Sequence, residues 1–360
     1  MTEEIWLDKL DNPWRYDAAN RIRKITDVDE VRSYQYDANG NRISSSLHGS
    51  GYATGNENRL ESDGESVYQY DNEGNLIRQT AIATGESREF EWDYHNRLIA
   101  VTDRNSSGTG VQVVRYSYDT VNQRLSKVVD TNLADASEGK ATYFVYERDN
   151  VILDFVDTDG ITGIEAVQLE QRYLHGSRAD EVLSQENALG EVNWHLSDHL
   201  GSIRDLVDGS GALVNHFVFD SFGNLVEQDN SAIQTRYLYT GREFDKETEF
   251  YYYRSRYFNS DLGRFINEDT IGFGGGDFNL YRYVENNPIA FIDPFGRFKV
   301  ELRYIPVAGV SNHVDVVVTN RNKTTSYWAR AFNGGSIVEI LGIGSSGDGT
   351  SSGRLLELLL

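Results

Sequence analysis

Large aromatic and polar residues alternate in short stretches along the first third of the chain. In Ser33-Tyr34-Gln35-Tyr36 both rings fall on one side of an extended segment, because successive side chains of a strand point to opposite faces. Asp37 follows, where a short carboxylate can accept backbone amides two residues on. Gly40-Asn41 then supplies the positive φ of a chain reversal, and Arg42-Ile43 begins a return segment. The pattern predicts strand, turn, strand.

The unit recurs. Tyr16-Asp17-Ala18-Ala19-Asn20-Arg21-Ile22 returns as Tyr36-Asp37-Ala38-Asn39-Gly40-Asn41-Arg42-Ile43 and as Tyr70-Asp71-Asn72-Glu73-Gly74-Asn75-Leu76. Weaker copies begin at Trp92, Tyr118 and Phe219. The aromatic positions through residue 118 lie 20, 34, 22 and 26 apart. One hairpin cannot bury an aromatic face by itself, so the units are expected to stack laterally into a continuous sheet. An all-β chain of stacked hairpins is the prediction.

Composition strengthens it: 22 Tyr, 16 Phe, 5 Trp and 33 Gly against 4 Pro in 360 residues favour strands and tight turns. With 34 Lys and Arg against 56 Asp and Glu, the net charge of −22 argues against a protein that tracks phosphates, and residues 1–298 are expected to bind no nucleic acid. Cysteine is absent, which excludes disulfides, thiolate metal ligands and cysteine nucleophiles. No run approaches the roughly 18 apolar residues of a membrane span, and Met1-Thr2-Glu3-Glu4 lacks the basic start of a signal peptide. Export by another route is the expectation.

The idealised unit Tyr-Asp-x-x-Gly-Asn-Arg-Leu resembles the YD repeats of Rhs proteins and of Tc-toxin C components. The resemblance continues through Trp194-His195-Leu196-Ser197-Asp198-His199-Leu200-Gly201, Tyr237-Leu238-Tyr239-Thr240-Gly241-Arg242 and Tyr251-Tyr252-Tyr253-Arg254-Ser255-Arg256-Tyr257. It then runs through Asn279-Leu280-Tyr281-Arg282-Tyr283 and Asn286-Asn287-Pro288 to Asp293-Pro294-Phe295-Gly296. The resemblance implies a β-sheet ribbon spiralling into a shell around a C-terminal toxic polypeptide. Three segments are expected: a YD-repeat sheet over 1–180, a repeat-associated core over 181–298, and a variable C-terminal segment over 299–360. Implied partners are that effector in cis, a secretion-system spike protein and an immunity protein. The implied location is secreted or cell-surface after a cytoplasmic stage, with no cofactor. Fewer repeats are visible than in full-length members, as in a truncated portion of one.

The resemblance also implies intramolecular aspartyl proteolysis. Asp269-Thr270-Ile271-Gly272-Phe273 and Asp293-Pro294-Phe295-Gly296 stand at the family's two Asp-Pro-x-Gly patterns, with Asp277 as a further carboxylate, and cleavage would fall between Arg297 and Phe298. Two close carboxylates cannot both ionise cheaply, so one can keep a proton while the other activates water. Asp269 and Asp277 flank a flexible Gly-rich loop that could fold them together. Thr270, Glu268 and Arg297 depart from the family's usual proline, basic residue and leucine. The alternative for these aspartates is turn capping beside Gly and Pro.

Charge shifts at the proposed boundary, from −23 before residue 299 to +1 after it. Within the last segment Val300-Glu301-Leu302-Arg303-Tyr304, His313 to Val318 and Thr325 to Arg330 read as strands, and Gly342 to Gly353 is rich in Gly and Ser. His313 and Asp315 share one strand face, as a base and its orienting carboxylate would, or as a solvated face would. His195 and His199 would ligate a metal only if helical, and the turn context argues against it. Tyr251 to Tyr253 suit either sugar stacking or core packing. A carbohydrate- or receptor-binding module using exposed repeat aromatics is the competing reading. A third treats the tail itself as a toxin enzyme.

Overall fold

In the computed structural model, residues 14–26, 32–133, 139–160 and 166–297 are described with their side chains. Val31 and residues 300–307, 310–320, 323–331 and 338–344 are described as backbone strand alone. Among the described residues there is no α-helix. Strands β1 (Trp14–Tyr16), β2 (Ile22–Thr26), β3 (Val31–Tyr36) and β4 (Arg42–Ser45) form one antiparallel sheet. The next sixteen, β5 (Tyr52–Thr54) through β20 (Leu225–Gln228), each pair with their chain neighbour in unbroken order. This sheet passes through residue 180 without interruption. A small sheet follows, of β21 (Glu243–Asp245), β22 (Phe250–Tyr253), β23 (Arg256–Asn259) and β24 (Arg264–Phe265). Last, β25 (Phe291–Ile292) pairs with β26 (Val300–Val307), which continues to β27 (Val310–Asn320), β28 (Lys323–Ala331) and β29 (Val338–Gly344). His313 and Asp315 lie on β27 with side chains outside the described residues, and residues 345–360 also lie outside them.

The recurring turn has one chemistry. In the third copy the Asp71 amide bonds the Asn75 carbonyl at 3.0 Å, and Asp71 Oδ1 accepts the Asn75 amide at 2.8 Å. Asp71 Oδ2 accepts from the Asn75 side chain at 2.9 Å. Asp17, Asp37, Asp93, Asp119 and Asp220 accept the amide four residues on in the same way. The residue before that amide must turn left-handed, which is why Gly or Asn stands there: Gly40 has φ +81°, Gly74 +80° and Asn96 +58°. Asn41 does not share the positive φ; it gives its amide to Asp37 Oδ1 at 2.8 Å and its side chain to Oδ2 at 3.0 Å. That last residue also ties turn to turn. Asn75 Nδ2 reaches Asn96 Oδ1 at 2.9 Å, and Arg97 Nη1 reaches the Asp119 carbonyl at 2.9 Å.

Every residue of β22 and β23 is buried, and their two faces have different neighbours. Phe250, Tyr252 and Tyr257 pack with Leu60, Leu76, Phe90, Val114 and Tyr116, the earlier strands of the long sheet. Tyr251, Tyr253 and Phe258 pack with Tyr34, Phe144, Val151, Phe217 and Phe222, from the N-terminal sheet and the later strands. The small sheet therefore lies between the two halves of the wall. Sheets covered on both faces read as unbroken apolar runs, which accounts for Tyr251-Tyr252-Tyr253. With these rings at most 2% exposed, the run packs the core and offers no face to a sugar.

Buried charge joins the same layers. The fully buried Arg124 pairs with Asp245 and, at 2.9 Å, with Glu243. Arg236 meets Asp154 at 2.7 Å, and Arg242 meets Asp180 at 2.6 Å. Arg32 on β3 pairs with Asp220, linking the first sheet to a turn near the end of the long one.

Candidate active site

Asp293 repeats the turn that the hairpins use. Its Oδ1 accepts the Arg297 amide at 2.9 Å, its carbonyl accepts the Gly296 amide at 3.3 Å, and Gly296 has φ +65°. Asp269 is similar: its Oδ1 accepts the Ile271 amide at 3.0 Å, its carbonyl the Gly272 amide at 2.8 Å, and Gly272 has φ +54°. Both aspartates cap turns, as the bland reading expects. What distinguishes them is what their second oxygens face.

Arg256, the first residue of β23, sits between them. Its Nη2 is 3.2 Å from Asp293 Oδ2 and 3.4 Å from Asp269 Oδ2. Nε donates to the Gly296 carbonyl at 2.5 Å and Nη1 to the Leu280 carbonyl at 2.9 Å, while the guanidinium lies 3.6 Å from the Phe265 ring centre. The buried cation thus gathers two carboxylates that are 24 positions apart in sequence. Asp277 is engaged differently: Arg282 binds it with both nitrogens of a fork, Nε to Oδ2 at 2.7 Å and Nη2 to Oδ1 at 2.9 Å.

The chain approaching residue 297 is gripped carbonyl by carbonyl. Arg254 donates to Pro294, and Ser255 Oγ lies 2.6 Å from the Phe295 carbonyl oxygen and 2.8 Å from that of Gly296. The next carbonyl, that of Arg297, stands beside Asp269. A Cβ placed on Gly275 would be 2.8 Å from Asp269 Oδ2 and 2.9 Å from the Arg297 oxygen, so those two oxygens flank one point. Phe298 lies outside the described residues. Beside this turn a cavity of about 290 Å³ is lined by Thr270, Phe295 and Arg297 among others, which leaves room for water.

Burial pushes the Asp269 carboxyl up to about 6, with the charge of Asp293 adding to the rise. Arg256, the Ile271 amide and Arg297 act in the opposite direction. Glu268 points elsewhere, its Oε1 3.3 Å from the Tyr281 hydroxyl and 3.6 Å from Arg59 Nη2; burial raises the Tyr281 phenol and the Glu268 charge adds to the rise. Of the sequence-derived residues, the structure brings together Asp269, Asp293 and the Arg297 carbonyl, and gives Asp277 to Arg282. Sequence reasoning missed Arg256 and Gly275. A signal for the first was present, since an arginine opening a strand of Tyr257 and Phe258 needs acidic partners once that strand is buried.

His195 and His199 do not converge. His195 is buried on strand Val192–Ser197, with its ring pushed down to about 4 by burial and by His175. His199 donates to the Ile289 carbonyl at 3.2 Å.

Comparison with known proteins identifies the fold. The family model described as Teneurin YD-shell matches residues 4–289. The tRNA3(Ser)-specific nuclease WapA of Bacillus spizizenii is 27% identical over 296 residues, covering 79% of this chain and 12% of that protein. Toxin protein Tse5 of Pseudomonas aeruginosa is 28% identical over 313 residues, covering 79% of this chain and 23% of that protein. The chain therefore spans less than a quarter of the length of these relatives. The crystal structure of TcdB2-TccC3-Cdc42 resembles it in fold, with TM-score 0.50 and 17% identity over 79% of this chain and 17% of that one.

Proposed function

The chain belongs to the Teneurin YD-shell family, and from that membership we propose that it is wall and core of a shell in an Rhs-type toxin, carrying an effector at its C-terminal end. We further propose that it frees that effector by cutting its own backbone between Arg297 and Phe298. Residues 1–180 would supply repeat wall, 181–298 the core with the cutting site, and 299–360 the start of the cargo. A relative named as a toxin protein and another named as a tRNA nuclease support the first part. A secretion-system spike and an immunity protein are the partners this reading calls for, with export after a cytoplasmic stage.

The observation that supports the cleavage is that Asp269 Oδ2 and the Arg297 carbonyl oxygen both lie within 3 Å of the Cβ position of Gly275, beside an arginine that also holds Asp293. Asp269, protonated up to about pH 6, is set to donate to the Arg297 oxygen. The Asp293 carboxylate takes a proton from water, whose oxygen bonds to the Arg297 carbonyl carbon. The carbon–nitrogen bond to Phe298 breaks as its nitrogen takes the proton held by Asp293, the former carbonyl oxygen returns its proton to Asp269, and the new Arg297 carboxyl gives its proton to the freed amine, leaving a carboxylate. Arg256 steadies both acids, and Asp277, bound to Arg282, braces the end of the loop that carries Asp269.

Intact mass spectrometry of the purified chain tests this. The expected result is a fragment ending at Arg297 that is absent in Asp269→Asn and Asp293→Asn. A chain that stays whole from pH 4 to pH 8 would refute it.

A further inference from the structure

A cleft of about 560 Å³, lined by Lys127, Lys140, Asp154, Glu170, Arg236 and Glu247 among others, presents both signs of charge and selects no ligand class. The exposed rings of Phe273 and Phe278, 6.1 Å apart, have nothing beside them that identifies an occupant. At Gly275 a polar side chain and the proposed scissile carbonyl come to the same point.

We propose that Gly275 is a positioning residue for self-cleavage, kept bare so that the Asp269 carboxyl and the Arg297 carbonyl can close on one another. The inference rests on the cleavage reading above and names what sets its geometry. Glycine usually serves where φ is positive. Its neighbours in the loop do so, Gly272 at +54° and Gly276 at +89°, but Gly275 is not among the residues with positive φ. Its backbone would accept any residue, so what excludes a side chain is space.

A Cβ there would stand 2.8 Å from Asp269 Oδ2 and 2.9 Å from the Arg297 oxygen, closer than real Cβ contacts occur. One of these atoms is backbone, following a turn whose carbonyls are held by Arg254, Ser255 and Arg256 and whose Arg297 amide is held by Asp293, so it yields less readily than a side-chain end. The carboxyl is the group that gives way. A small outward swing removes the acid from the oxygen it serves, and displacements of about 1 Å at a reacting centre are known to cost on the order of 100-fold in rate. By contrast, Gly272 has nothing within 4 Å of its own Cβ position, so a side chain there touches neither group.

The experiment compares the full chain with Gly275→Ala, Gly272→Asn and Asp269→Asn, following the fragment ending at Arg297 by mass spectrometry from pH 4 to pH 8. Asparagine tolerates the left-handed backbone at 272. The expected result is wild-type cleavage in Gly272→Asn and at least about a tenfold loss in Gly275→Ala. The residual rate should also fall off at lower pH, because a carboxyl parted from the carbonyl oxygen loses a contact that favours its protonated form.

A second readout does not need activity. If the new methyl strikes Asp269, the fall in thermal midpoint caused by Gly275→Ala becomes smaller in an Asp269→Ala background. Cleavage of Gly275→Ala at the wild-type rate with an unchanged pH profile overturns the inference and leaves the cleavage reading standing, as does a midpoint loss that is identical in both backgrounds. A wild-type chain that never cleaves overturns both.

Discussion

The hydroxyl of Tyr281 donates to the carbonyl oxygen of Gly74 at 2.8 Å, across 207 positions of sequence. A tyrosine of the core segment thereby reads the backbone of a repeat turn, and the ring packs edge-on to Tyr70, the aromatic that opens that turn, at 5.7 Å. The fit between core and wall is thus made at the turn as well as in the aromatic layer.

Tyr281→Phe keeps the ring and leaves the Gly74 carbonyl without this donor. A loss of about 1 kcal/mol is expected, as for one neutral hydrogen bond. Urea unfolding measures it, and an unchanged midpoint would show that the contact contributes nothing.

At the turn itself, two substitutions should rank. Asp71→Ala removes the acceptor of the Asn75 amide and side chain, with an expected cost of roughly 1–2 kcal/mol. Gly74→Ala should cost more, since it strains a φ of +80° and drives a methyl to 2.6 Å from the Tyr281 hydroxyl. Thermal melts of the two variants that reverse this order would reject the geometry.

Arg124→Met leaves Glu243 and Asp245 buried without their shared cation. Removing one partner of such a group costs roughly 3–5 kcal/mol, and the loss should be partly restored by also changing Asp245 to Asn. Denaturant curves of the single and double variants supply the check.

The pH dependence of stability should carry opposite contributions from two buried groups. His195 is held down near 4, so between there and 6.5 the unfolded chain binds more protons, and its contribution is lost as pH falls through that range. His195→Phe should flatten that acid-side loss in urea midpoints taken between pH 4 and pH 7.

Asp269 works the other way. Its proton is retained to about 6 in the fold, against 3.8 ordinarily, so its contribution is full below 3.8 and disappears as pH rises through 6. Asp269→Asn should remove this fall with rising pH. A wild-type stability profile indistinguishable from that of the variant would mean the carboxyl is not held neutral.

Much of the wall was legible because its instructions are contiguous. Tyr-Asp-x-x-Gly-Asn places an aromatic, an amide acceptor, a left-handed residue and a side-chain donor within six positions, and the structure uses each in that role. The lateral stacking then followed from the inability of one hairpin to cover its own rings. The site was legible only in part. Asp269, Asp293 and residue 297 stood in recognisable patterns, whereas Arg256 was hidden in a tyrosine run and Gly275 in a run of glycines that looked merely flexible.

By itself, then, the sequence determined the hairpins, their turns and the all-β class, since those depend on residues within a few positions of each other. Tertiary structure alone decided that β22 and β23 would be covered on both faces, and that Arg256 would join Asp293, 37 positions away, with Asp269 while Arg282 took Asp277. The reason is physical. A local turn satisfies its own hydrogen bonds, but a buried cation takes whichever carboxylates the packing of distant strands brings within reach.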